Sequence, residues 1–232
     1  MRRSEIETII DQTLEIMGAH GVVLPPFAHW TPDEWRLKGE ATHLLFERML
    51  GWNVVAFDPS DFYRSGIALF TTRMGDHRAL GTGRGKLYGE KVIVVREGQL
   101  VPHHFHRVKT EDFFNRGGGV LEIDLLRVDD KGQPKEGAFA LERDGLLVEA
   151  RSGETIRLSP GEGVTLEPGI AHAFRAEGGD VVCGEISLTN DDATDNYFIP
   201  PLAPFPAIVE DAPVRRLIVA DYPTFRGQRS PA

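Results

Sequence analysis

The chain has 232 residues, enough to bury a substantial core, and carries 35 acidic against 26 basic side chains for a formal net charge of -9. That balance argues against non-specific binding to nucleic acid, because phosphate backbones are held by clustered Lys and Arg. A single cysteine, Cys183, excludes an internal disulfide. Its apolar neighbours predict a buried structural thiol and, with it, a cytoplasmic protein.

The first residues, MRRSEIETIIDQTLEIMGAHG, lack the apolar run of a signal peptide or a membrane span, so no membrane partner is expected. Ile6, Ile9, Ile10, Leu14 and Met17 recur at intervals of three and four and predict a helix of about four turns, ended by Gly18 and Gly21. Thr31-Pro32-Asp33-Glu34 announces a second helix through a capping threonine, proline at the first helical position and a capping-box glutamate. Gly51 is expected to close it after Leu50.

From residue 52 the rhythm changes to short runs rich in Val, Ile, Phe and Thr, punctuated by Gly, Pro, Asp and Asn. About ten such strands, without helical patterns between them, predict a sandwich or barrel. The tract IPPLAPFPAIVEDAPVRR follows; it is too apolar for a free linker and predicts an extended arm over the body. The chain thus divides into a helical extension (1–51), a β-barrel (52–200) and a C-terminal arm packed on the barrel (201–232). Two further motifs fail. GTGRGK lacks phosphate-loop spacing, since Leu87 follows the lysine, and NDDATDN lacks the calcium-loop alternation.

The stretch HHFHRVKTE is the densest in functional groups. In a strand His104 and His106 share one face, while His103 and Phe105 point the other way and are structural. After the four residues RVKT, a turn can bring Glu111 back beside the pair, and His172 in LEPGIAHAF can add another imidazole. Three neutral imidazoles and one carboxylate suit a borderline divalent ion such as Mn, Fe, Co, Ni or Zn. An isolated His-x-His is more often a surface pair than a ligand pair, so the weight falls on the complete arrangement.

The spacing of Gly98, His104, His106, Glu111 and Gly118 matches the first motif of the cupin superfamily, and PGIAHAF resembles the second, with its glycine moved to Gly169. HFHRVKTEDFFNRGGG, IALFTTRMG, YGEKVIVVREGQ and GEISLTNDDATDNYF resemble the D-lyxose isomerase family of cupins in the same order. The resemblance implies a jelly-roll-like cupin β-barrel, mainly β, with the helices outside. It implies His104, His106, Glu111 and His172 as metal ligands, most often of Mn2+. It also implies conversion of D-lyxose to D-xylulose, with D-mannose to D-fructose as a side activity.

Such a reaction needs polarised oxygens at two adjacent carbons, and four protein ligands leave two positions on a six-coordinate ion for a metal-stabilised enediol. Lys109, between the histidines and Glu111, is the expected proton donor or shuttle. A carboxylate partner is expected at Glu185, which shares a strand face with Cys183 and Ser187, or at Glu210 if the arm closes over the barrel mouth. Asn115, Arg116, Asp192 and Asp195 could orient sugar hydroxyls or simply form turns. The rival readings are an iron-dependent cupin dioxygenase and a non-catalytic sugar-binding cupin. Exposed sheet edges make a homodimer the expected assembly.

Overall fold

A computed structural model describes residues 1–191 and 194–227. Twelve strands follow the N-terminal helices: β1 (Gly51–Ala56), β2 (Gly66–Met74), β3 (Tyr88–Val95), β4 (Leu100–Phe105), β5 (Glu111–Val128), β6 (Pro134–Lys135), β7 (Ala138–Arg143), β8 (Leu146–Arg151), β9 (Thr155–Leu158), β10 (Gly163–Leu166), β11 (Ile170–Leu188) and β12 (Tyr197–Phe198). All pairings between them are antiparallel, in the order β1-β2-β3-β11-β5-β10-β7-β8, with β4, β6, β9 and β12 off that path. The protein is mainly β and jelly-roll-like, and the sheet curls around its core without closing.

The frame is the pair β5–β11, which runs in register from Ile170 opposite Arg127 to Ser187 opposite Glu111, with irregularities between Glu177 and Val181 and between Val182 and Cys183. On one half β11 pairs with β4, on the other with β3. Apolar residues from both halves, including Phe113, Leu121, Ile123, Ile93 and Phe174, enclose one core.

The NRGGG run lies in the middle of β5, where it bends alongside β11. Asn115 builds the bend: its Nδ2 donates to the carbonyls of Gly119 (2.8 Å) and Leu158 (2.9 Å), and its Oδ1 accepts from the Gly117 amide (2.9 Å). Gly118, at φ +102°, is required there, since a Cβ would stand 1.9 Å from the Asp180 carbonyl oxygen.

Alternation along β3 separates two packing layers. Ile93 and Val95 enter the core, whereas Val92 and Val94 face outward and are covered by helix α1 (Arg3–Ala19) through Ile6, Ile9, Ile10 and Met17. The second helix is shorter than its sequence suggests. The capping box forms, with Thr31 Oγ1 accepting from the Glu34 amide and Glu34 accepting from the Thr31 amide, but α2 spans only Pro32–Lys38. Gly39, at φ +54°, breaks it, and a 3-10 turn and a short helix α3 (His43–Glu47) complete the passage to β1.

The C-terminal arm begins extended and ends in helix α4 (Tyr222–Gly227), whose Tyr222 and Phe225 pack with Trp35 and Phe46. Ile218 bridges to Trp52 on β1, and Val209 to Arg2. Arg3, almost fully buried, joins Glu210 at 2.8 Å and Asp221 at 2.6 Å, so the two chain ends lock onto each other.

Candidate active site

The end of β4, the turn after it, and the start of β11 converge on one point. His104 stands opposite His172 in register, and the ligand atoms of His104, His106 and His172 lie within 4.8 Å of one another. Glu111, the first residue of β5, places Oε1 3.3 Å from His106 Nε2 and 3.2 Å from His172 Nε2. Among the described residues, these three atoms have no hydrogen-bond partner although all are buried.

The opposite ring nitrogens explain why. Nδ1 of His104 donates to the Pro102 carbonyl (2.9 Å), that of His172 to the Ile170 carbonyl (3.3 Å), and that of His106 to the Asp195 carbonyl. Each bond fixes the tautomer and leaves an Nε2 lone pair facing the shared point. Burial pushes the His172 imidazole down to about 4, and burial together with the neighbouring imidazoles lowers His104 well below its ordinary value. Burial opposes ionisation of Glu111, yet Lys109 and the two histidines hold its carboxyl well below the usual carboxylate range. Neutral nitrogens and a charged carboxylate converging on buried, unpartnered atoms fit a divalent cation.

Lys109 adjoins this cluster. Its Nζ lies 2.6 Å from Glu111 Oε2 and 3.2 Å from Glu185 Oε1, and all three side chains are buried. Glu185 is placed by the strand parity that put it on one face with Cys183 and Ser187, and Cys183 is buried as a structural thiol. His104, His106, Lys109, Glu111 and Glu185 all border a cavity of about 430 Å³, which Phe57, Phe198 and Phe205 also line. As parity requires, Phe105 faces away and packs with Val128, Ala171 and Tyr197.

Glu210 is not brought to this cavity. It is half-exposed and engaged by Arg3, because the arm carries it to the N-terminal helix rather than to the barrel mouth. From that arm it is Phe205 that reaches the cavity. Asn115 serves the β5 bend, and Arg116 is exposed, lying over the Phe114 ring. Asp192 lies outside the described residues. Asp195 acts behind the site: its carboxylate accepts from the amides of Arg107 (2.8 Å) and Lys109 (3.0 Å) while its carbonyl holds His106.

Sequence reasoning missed Lys91, whose Nζ lies 3.1 Å from Glu185 Oε1 and which borders the same cavity. The signal was present: in EKVIVV, Lys91 is in phase with the core positions Ile93 and Val95. It also missed the position of Asn196, which borders the cavity with a buried Oδ1 that has no partner among the described residues.

Residues 1–222 match the family model described as D-lyxose isomerase. The chain is 41% identical over 229 residues to a D-lyxose/D-mannose isomerase of Escherichia coli O157:H7, covering 97% of this chain and 100% of that protein. It is 40% identical over 228 residues to one of Serratia proteamaculans, covering 97% and 99%. In fold it is similar to the ligand-free L-ribose isomerase of Cellulomonas parahominis, at TM-score 0.56 and 14% identity over 90% of this chain and 98% of that one. A mutant L-ribose isomerase of Acinetobacter sp. DL28 in complex with L-ribose aligns at TM-score 0.57 and 13% identity with the same coverage. A match over nearly the whole chain, with relatives at such identity, establishes that the chain belongs to the D-lyxose isomerase family and is a sugar isomerase.

Proposed function

We propose that this enzyme interconverts D-lyxose and D-xylulose, and D-mannose and D-fructose, by moving a proton between adjacent carbons of the open-chain sugar. The observation that carries this reading is Lys109 Nζ, held between Glu111 and Glu185 at the border of the histidine cluster and the cavity. A divalent cation, manganese on the family resemblance, would be held by His104, His106, Glu111 and His172 and would supply polarisation of the sugar's carbonyl and adjacent hydroxyl oxygens.

Glu185 takes the proton from carbon 2 of the aldose while Lys109 gives a proton to the carbonyl oxygen on carbon 1. The enediol that results has a hydroxyl on each carbon. Lys109 then recovers the proton from the oxygen on carbon 2, and Glu185, whose carried proton exchanges with solvent while it is held there, delivers a proton to carbon 1, leaving the ketose and both side chains as they began. The same hydrogen-bonding lysine favours a sugar, and with it this reading, over the apolar aromatic substrate of a dioxygenase with a similar three-histidine, one-glutamate shell. The aromatic side of the cavity excludes water from the reacting carbons and packs against the sugar's C–H faces.

Reduced, manganese-loaded protein assayed against a panel of aldoses tests the reading. Ketose formation fastest from D-lyxose or D-mannose is the expected result, and binding without turnover would support the non-catalytic alternative. We further infer a cytoplasmic homodimer, in keeping with the buried lone thiol of Cys183 and the open sheet edge at β8. Among the described residues no helix is long and apolar enough to cross a membrane.

A further inference from the structure

Lys91 is the one cavity-bordering cation to which the proposed reaction assigns no step. It sits in β3, directly opposite Glu185 of β11 in register, and its side chain is 6% exposed. Burying an ammonium costs several kcal/mol unless it is compensated, so a lysine in a core phase calls for a reason beyond packing.

The charges facing Glu185 supply one. Lys91 lies at 3.1 Å and Lys109 at 3.2 Å from the same carboxylate oxygen, Oε1, while Lys109 also bridges to Glu111 at 2.6 Å. Cys183 shares the strand face, and burial raises its thiol well above the ordinary value, so it is neutral. The row therefore alternates Lys91, Glu185, Lys109, Glu111. Lys109 must turn toward the sugar oxygen when it transfers a proton, and Lys91 then remains as the cation on the Glu185 carboxylate.

From this geometry we infer that Lys91 is a positioning residue for the isomerisation: its ion pair holds the Glu185 carboxylate aimed into the cavity when Lys109 engages the substrate. The inference rests on the acid/base roles proposed above. It assigns Lys91 a charge-dependent function, since an ammonium fixes the direction of the carboxylate oxygen through a charge-assisted hydrogen bond that a neutral apolar side chain cannot make. Lys91 acts through Glu185 and transfers no proton itself.

The test compares wild type, Lys91→Met and Lys91→Arg, metal-loaded, on whichever aldose of a panel the wild type converts fastest. For Lys91→Met the expected result is a kcat lower by about 10-fold or more with KM changed far less. Lys91→Arg restores most of the kcat, which a space-filling role would not produce. Lys91→Gln is the second neutral variant, and thermal unfolding with metal content shows that each protein is folded and loaded. A neutral variant with wild-type kcat overturns the inference, as does Lys91→Arg being as impaired as Lys91→Met. Because the comparison uses the best aldose found, a wild type inactive on D-lyxose would defeat the substrate assignment while still deciding the role of Lys91.

Discussion

Lys109 and Glu185 carry the sharpest consequences for single side chains. Lys109→Ala and Glu185→Gln should each lower kcat by about 10² to 10⁴-fold, with bound metal close to wild type by elemental analysis, because neither belongs to the histidine–carboxylate set. Glu210→Gln should leave kcat unchanged and lower the unfolding temperature slightly, since its partner is Arg3 rather than anything in the cavity. Chelation should abolish turnover and lower the unfolding temperature, and manganese should restore both, as for any ligand that binds the folded state alone. Strand parity made His104, His106 and Glu185 legible, because period-two alternation needs no long-range information. Parity could have found Lys91 as well, but a lone lysine in a valine run carries no motif. Glu210 misled because whether an arm passes over a barrel mouth or along a helix depends on its anchors. Here those are Arg3 and the Arg2–Val209 bridge, which local sequence does not display.

At the scale of elements, the bend in β5 is the feature that the sequence displays without explaining. Three consecutive glycines suggest a turn, whereas their role is close passage of two long strands. Gly118→Ala should therefore destabilise by about 3 kcal/mol or more, through contact with the Asp180 carbonyl as well as its φ. Gly98→Ala, at φ +73° with nothing within 4 Å of a new Cβ, should cost only about 1–2 kcal/mol. Denaturant unfolding of the two variants measures the difference. Helix limits were legible where a local cap decides them, as at Thr31, and illegible at Gly39, where one glycine ended a pattern that periodicity would have continued.

For the whole molecule, placing the outer helices required only the stripe on α1, but the enclosing of one core by two halves of β5 and β11 required register that no single strand encodes. Acid response is likewise a property of the assembled site. His172 titrates near 4 when folded and near 6.5 when unfolded, and His104 is shifted in the same direction. Below about 6.5 the unfolded chain then binds more protons than the folded one. Metal-free protein should keep the full contribution of these groups above that pH and lose the part due to His172 progressively as pH falls toward about 4, with no further loss from His172 below it. Thermal unfolding of metal-free protein across pH 4 to 8 would display the slope. Glu111, whose carboxyl is held low in the fold, adds a loss of the same sign in still more acidic solution.

Isomerisation of D-lyxose in D2O tests most directly whether Lys109 and Glu185 move a proton within this cavity. D-xylulose should carry solvent-derived deuterium at carbon 1. Ketose formed at a comparable rate with no deuterium at that carbon, its hydrogen carried over intact from carbon 2, would contradict it.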